Sequence, residues 1–192
     1  MGWRTEEFGS SHEGLAGAVL ADGSEPKPVF LDTGSGSHMH QTTEWWAYDG
    51  KLSRQRAQAV RGSCSCGWRG TTRYPIDWTQ RDHEGLHDLD ISGPRDDWAQ
   101  HIADVEARSV PLPSEVDDLL EQLANQLDAL TTDAPLAALK AVAALERLTG
   151  RVGRQAAFAA EAEELSWEVI GGALGLTEKD ARSRLTHYSL RR

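Results

Sequence analysis

The chain has only two cysteines among its 192 residues, and Cys64 and Cys66 stand one residue apart. So close a pair cannot build the disulfide framework that stabilises small secreted domains. The sequence also lacks any apolar run near the ~18 residues that a membrane span needs, and residues 1–20 carry acids without a long apolar stretch. We therefore predict a cytoplasmic protein that does not associate with membranes.

Basic residues are scarce as well. The chain has 20 Lys and Arg against 30 Asp and Glu, which gives a formal net charge of −10. This balance argues against a general nucleic-acid coat, because phosphate binding needs an excess of Lys and Arg. The sequence has no phosphate loop, dinucleotide fingerprint or Gly-x-Ser-x-Gly elbow, and the cysteine pair fits metal ligation better than a nucleophile–base pair. We therefore predict that the protein is not an enzyme.

Composition changes at Pro111. Residues 1–110 hold both cysteines, and they alternate short apolar runs (27–31, 44–48 and 57–61) with turn signals such as Asp22-Gly23. That pattern predicts a small antiparallel sheet. Residues 111–192 are rich in Ala, Leu and Glu and predict helices. The predicted fold class is α+β, with a small β-rich domain at 1–110 and an all-α domain at 111–192.

Leucine and valine recur at three- and four-residue steps in the second half, which is the spacing of one helix face. Ser114 is the expected N-cap of a first helix, and Asp133 caps a second that has Pro135 in its first turn. A third helical stretch is predicted at 154–164. We interpret the stripes as core positions whose surplus apolar surface forms a homodimer. The stripes are Val116, Leu119, Leu120, Leu123, Leu127 and Leu130, then Leu136, Leu139, Val142, Leu145, Leu148 and Val152.

The C-terminal region contains the signals of two short helices joined by a sharp turn. Ser166 and Thr177 are candidate N-caps, because their hydroxyls accept hydrogen bonds from otherwise unpaired backbone N–H groups. Gly175 suits the positive φ that ends the first helix, and Gly171 allows the second helix a close approach. A small core closes the motif with Ile170, Leu174, Leu176, Ala181 and Leu185. The pattern predicts a helix-turn-helix at 166–188, whose second helix enters the major groove of double-stranded DNA.

This segment resembles the helix-turn-helix of sigma-factor region 4 and related bacterial regulators. There, an Ile-Ala-x-x-Leu-Gly-Ile-Ser turn precedes a helix that ends in Lys-Ser-Arg-Leu. The matching positions here are Ile170-Gly171, Leu174-Gly175-Leu176-Thr177 and Arg182-Ser183-Arg184-Leu185. The resemblance covers about 20 of the 192 residues. It implies a transcription regulator that binds DNA through this motif.

Charge supports the same interpretation. Residues 177–192 carry five basic and two acidic side chains, a net charge of +3, which leaves −13 for the rest of the chain. Phosphate contact is therefore confined to one place. Arg182 is the strongest candidate for base readout, because a guanidinium pairs with both acceptors of guanine. The predicted DNA-contacting residues are Thr177, Lys179, Arg182, Ser183, Arg184, Arg191 and Arg192.

A metal site is the second predicted feature. In a cytosolic protein, paired cysteines are more often metal ligands than a disulfide. Zinc takes four tetrahedral ligands, so Cys64 and Cys66 need two histidine partners. His83 and His87 are four residues apart and would share one face of a helix, although Gly85 and nearby acids make that helix poor. His101 lies in a better helical run, and His38 and His40 are further candidates.

The cysteine motif also resembles small actinobacterial proteins that share Cys-x-Cys-Gly-Trp followed by Trp-x-x-His. The matching residues are Cys64, Cys66, Gly67, Trp68, Trp98 and His101. The resemblance favours His101 as a ligand, with His38 or His40 as the fourth. We choose His40 because it adjoins a strand predicted to begin at Gln41. The expected set is therefore Zn²⁺ held by Cys64, Cys66, His101 and His40.

Two functions follow from these observations. The first is a sequence-specific DNA-binding regulator with a C-terminal helix-turn-helix and a structural zinc site. The second is an acidic adaptor or anti-regulator that binds another protein and not DNA. Segment 114–133 favours the second, because it carries six carboxylates and no Lys or Arg. Salt-dependent binding to random duplex DNA separates the two hypotheses.

Overall fold

The computed structural model describes residues 2–32, 39–51, 53–79 and 89–190, with the backbone alone at residues 31, 32, 39 and 40. The chain forms two compact units, an N-terminal unit at residues 1–106 and a C-terminal unit at residues 107–192. Helices dominate the C-terminal unit, and the N-terminal unit contains small antiparallel sheets. The fold class is α+β.

Two antiparallel sheets lie in the described part of the N-terminal unit. Strands β1 (Gly14–Val19), β4 (Ala59–Cys64) and β5 (Tyr74–Pro75) form a three-stranded sheet in the order β1-β4-β5, while β2 (Val29–Asp32) pairs with β3 (Met39–Thr42). In the β1–β4 pair, Gly14 lies opposite Cys64 and Val19 lies opposite Ala59. The apolar run at 44–48 is not a strand, because Trp45–Ala47 form a turn of 3-10 helix.

Helix α1 (Ser92–Glu106) packs against β4 and β1 and closes one face of the sheet. Its buried Trp98, Ile102 and Val105 form a cluster with Phe8 and Cys64. A second cluster joins small residues of the strands to Trp45, Tyr48, Val60 and Ile76. Large aromatic side chains thus fill a core to which these short strands contribute few aliphatic residues.

Four helices make up the C-terminal unit: α2 (Ser114–Asp133), α3 (Pro135–Ala162), α4 (Trp167–Ala173) and α5 (Glu178–Leu190). Helix α3 is continuous, so the expected separate helix at 154–164 is wrong. Two predicted caps are wrong as well. Pro113 occupies the N-cap position of α2, and Ala134 occupies that of α3, each without a side-chain cap. Pro135 does lie at the start of α3, where its missing N–H costs no helical hydrogen bond.

The leucine stripes of α2 and α3 are not core throughout. None of the residues of α2 is buried, and Leu119 is 63% exposed. On α3 the buried residues are small, namely Ala138, Gly150 and Ala157. The helical period was predicted correctly, but a hairpin of two helices has too few neighbours to cover both apolar faces.

Candidate functional site

Four metal-ligating side chains converge in the N-terminal unit: His12, Cys64, Cys66 and His101. Their nearest ligand atoms all lie within 4.8 Å of one another. His12 ends the 3-10 helix Gly9–His12, just before β1, and Cys64 ends β4. Because β1 pairs with β4, His12 lies beside Cys64. Helix α1 packs against both strands and brings His101 to the same place.

The spacing of these atoms fits one tetrahedral ion. His12 Nδ1 lies 3.3 Å from His101 Nε2 and 3.6 Å from Cys64 Sγ, and Cys66 Sγ lies 3.4 Å from His101 Nε2. A tetrahedral Zn²⁺ with bonds of about 2.3 Å to sulfur and about 2.0 Å to nitrogen sets its nitrogens ~3.3 Å apart and nitrogen from sulfur ~3.5 Å. The four residues are therefore close enough to bind a metal ion.

A tight turn brings the second sulfur to the site. The Gly67 N–H donates to the Cys64 carbonyl, and the Cys64 N–H donates to the Trp68 carbonyl, each at 3.0 Å. Gly67 has φ +98°, which a side chain would resist. The Cys-x-Cys-Gly-Trp motif thus specifies a turn that brings both sulfurs to the same cluster of side chains.

Aromatic rings pack around the two imidazoles. Trp68 stacks on His101 with the ring centroids 4.5 Å apart and the planes 7° from parallel, and Phe8 meets His12 edge-on at 5.3 Å. His12, Cys64 and His101 are buried, whereas Cys66 is half-buried. This packing fixes both rings and keeps bulk water from most of the site.

Each thiol alters the pKa of the other. A hydrogen bond from Cys66, ahead of the contrary effect of burial, lowers the pKa of Cys64 to about 4. The same hydrogen bond, with burial, raises the pKa of Cys66 above its ordinary value. Thiolates and not thiols ligate metals, so binding of a dication by this pair would release protons.

The structure brings three of the four predicted ligands together, and His12 completes the group. His12 was not among the sequence candidates. It stands far from the cysteines in sequence, and only the β1–β4 pairing brings it to Cys64. The backbone of His40 pairs with Leu31 in the β2–β3 sheet, and its side chain lies outside the described residues. The four positions of a tetrahedral site are filled without it.

The alternative pair, His83 and His87, also lies outside the described residues. With Glu84 the pair forms a His-Glu-x-x-His sequence, which in zinc metalloproteases supplies two metal ligands and a general base from one helix face. The prediction that the protein is not an enzyme therefore rests on the absence of a phosphate loop, a dinucleotide fingerprint and a Gly-x-Ser-x-Gly elbow from the sequence. It remains a prediction.

Helices α4 and α5 form the second candidate site. The Ser166 hydroxyl accepts from the Val169 N–H at 3.2 Å, and the Thr177 hydroxyl accepts from the Asp180 N–H at 3.1 Å. Both predicted caps are therefore present. Gly175 has φ +60°, as its place in the turn requires.

The two helices approach each other closely at Gly171. A Cβ at this position would lie 2.9 Å from the Leu176 carbonyl oxygen, so a larger residue would push the turn away. Ile170 and Ala181 are buried at this junction, whereas Leu174 is exposed. Helix α5 also packs against α3, where Tyr188 covers Gly153.

The outer face of α5 is polar. Ala181, Leu185 and Tyr188 form its inner face, and Lys179, Ser183 and His187 lie roughly on the opposite side. Arg182 and Arg184 lie on the two flanks. The Arg182 guanidinium sits 5.2 Å above the Trp167 ring of α4. Arg191 and Arg192, two of the predicted DNA-contacting residues, lie outside the described residues.

The described helices include none that is long and apolar enough to span a membrane. No protein-family model, no curated protein and no solved structure matches this chain.

Proposed function

We propose that the protein is a sequence-specific DNA-binding regulator, in which α4 and α5 act as a helix-turn-helix and zinc stabilises the N-terminal unit. The observation that carries the proposal is the tightly joined α4–α5 pair. Both helices are capped, the turn is closed around Gly171 and Gly175, and α5 presents a polar face with Lys179 and Ser183 at its centre. A helix held in this way can enter the major groove as a rigid element.

The flanking arginines suit a supporting role in the same proposal. Arg184 lies on the flank of α5 opposite Arg182, where it can reach the phosphates beside a groove. The stacking of Arg182 on Trp167 orders its guanidinium before DNA binds, which reduces the conformational entropy lost on contact. Arg182 remains the proposed reader of guanine.

The proposed metal is Zn²⁺, and its proposed role is structural. Two sulfurs and two imidazoles are the ligand set of closed structural zinc sites, which have no open position for a substrate. Burial of three of the four residues agrees with this role. The ion would tie the 3-10 helix Gly9–His12, β4 and α1 together at one point.

The test of DNA binding is a selection from random duplexes, followed by affinity measurements on the enriched sequence. Arg182→Ala is expected to cost about 1–3 kcal/mol at that sequence and to relax the preference at one base pair. Arg184→Ala is expected to weaken all sequences alike and to reduce the salt slope by about one. Lys140→Ala, which removes an exposed cation from α3, is the matched control and should bind as the wild type does.

Two results would contradict the proposal. One is a selection that enriches no sequence at moderate salt. The other is equal binding of duplex DNA by the full chain and by a chain that ends before Ser166. Either result would favour the second candidate function, an adaptor that binds a protein through α2. The observation in its favour is that α2 is acidic and leaves Val116, Leu119 and Leu120 exposed.

A further inference from the structure

Helices α2 and α3 form a hairpin whose apolar side is open. Ala134 alone separates the two helices, and they contact each other. The open apolar face, as we name it, consists of Val116, Leu119 and Leu120 on α2 with Leu148 and Val152 on α3, and these residues are between 42% and 63% exposed. On each helix these residues continue the apolar stripe in the direction away from Ala134. They therefore lie where a packed helix bundle would have its core.

An exposed face of this kind is unusual in a monomer, because contiguous apolar patches on soluble proteins generally mark interaction sites. Two packed helices cover only one side of each stripe, whereas four helices enclose a core of such stripes completely. A second hairpin with the same pattern would supply the two missing helices. Among the described residues the pattern occurs once, in α2 and α3, and a second copy of the chain would provide it again.

Charge indicates how the copies would be arranged. Helix α2 carries six carboxylates and no basic residue, so two α2 helices side by side would repel each other. Helix α3 carries four basic and two acidic side chains, a net charge of +2. Packing α2 of each copy against α3 of the other therefore brings unlike charges together. That arrangement is also compatible with the two-fold symmetry of most homodimers.

We propose that the protein is a homodimer, in which the open apolar faces of two α2–α3 hairpins meet in a four-helix bundle with α2 beside the partner copy's α3. This proposal does not depend on DNA binding. If the α4–α5 pairs do bind DNA, the dimer would present two of them, and the selected sequence would contain two half-sites.

The test is light scattering on the purified full chain at tens of micromolar, with circular dichroism to monitor helix content. The wild type is expected to have twice the mass of one chain. Leu119→Glu and Leu148→Glu are each expected to give the monomer mass with unchanged helix content, because both side chains are already exposed within one chain. A glutamate at either position would place charge in the core of the bundle.

The matched control is Leu136→Glu. Leu136 is 81% exposed and lies nine residues before Leu145, about two and a half helical turns, which places it on the far side of α3. This variant should remain dimeric. A monomeric wild type would overturn the proposal and leave another protein as the occupant of the face. So would a dimer that survives both core substitutions, or one that Leu136→Glu also dissociates.

Discussion

Replacing Cys64 with serine is expected to remove the bound metal and to destabilise the N-terminal unit severely. Cys64 ends β4, whereas His12 and His101 belong to other elements, so a bound ion would link three segments that have no disulfide between them. An ion present at a thousand times its Kd stabilises the folded state by about 4 kcal/mol. Loss of that contribution would remove a large fraction of the stability of a small domain.

The measurement is elemental analysis of freshly purified, reduced protein, combined with denaturant unfolding. About one zinc per chain is expected for the wild type. None is expected for Cys64→Ser or Cys66→Ser, and their midpoints should match that of chelator-treated wild type. His12→Ala tests the ligand that the sequence did not reveal. His187→Ala is its matched control, because His187 is an exposed histidine of α5 and should leave both metal content and stability unchanged.

Two histidine variants decide between the alternative ligand sets. His40→Ala and His87→Ala are expected to keep the zinc, because His12 and the three residues beside it supply the four ligands that a tetrahedral ion needs. Loss of the metal in either variant, with retention in His12→Ala, would contradict the assignment. Two zinc ions per chain would instead point to a second site at the His-Glu-x-x-His segment 83–87. Wild-type protein without metal would refute the centre altogether.

The local features of this chain could be predicted from sequence because their signals are local. Capping hydroxyls at Ser166 and Thr177 and a positive φ at Gly175 depend on neighbouring residues, and the structure has all three. The turn at Cys-x-Cys-Gly-Trp likewise depends only on residues that are neighbours in sequence. The predicted caps at Ser114 and Asp133 are wrong, because the N-cap positions of the two helices are each one residue away, at Pro113 and Ala134.

Features that depend on the tertiary fold could not be predicted in this way. His12 joins the candidate ligands only because β1 pairs with β4 in a register that sets Gly14 opposite Cys64. Trp45 and Trp46 are residues with a high strand propensity, but they lie in a turn of 3-10 helix. Trp45 packs into the core from that turn. The helical stripes were visible in the sequence, yet their exposure was not. Exposure depends on how many neighbours surround a helix, which periodicity does not determine.

Gly62→Ala is expected to destabilise the N-terminal unit and to weaken metal binding together. A Cβ at Gly62 would lie 2.6 Å from the Pro94 carbonyl oxygen and 3.3 Å from the Trp68 ring. Because the first contact is with backbone, α1 must move away from β4 to admit the methyl group. Overpacking of this kind costs about 1–3 kcal/mol. His101 moves with α1 while Cys64 stays with β4, so the ligand atoms separate.

The measurements are a denaturant midpoint and a zinc competition titration against a chelator of known affinity. We expect the zinc affinity to fall by roughly 10–100-fold, as it does when groups that support metal ligands are altered. Gly150→Ala is the control, and it is expected to raise the stability of the protein instead of lowering it. A Cβ there would meet nothing within 4 Å, and alanine in a helix is roughly 0.5–1 kcal/mol more stable than glycine. A Gly62→Ala protein with wild-type stability and zinc affinity would show that the contact between α1 and β4 does not hold the ligands in place.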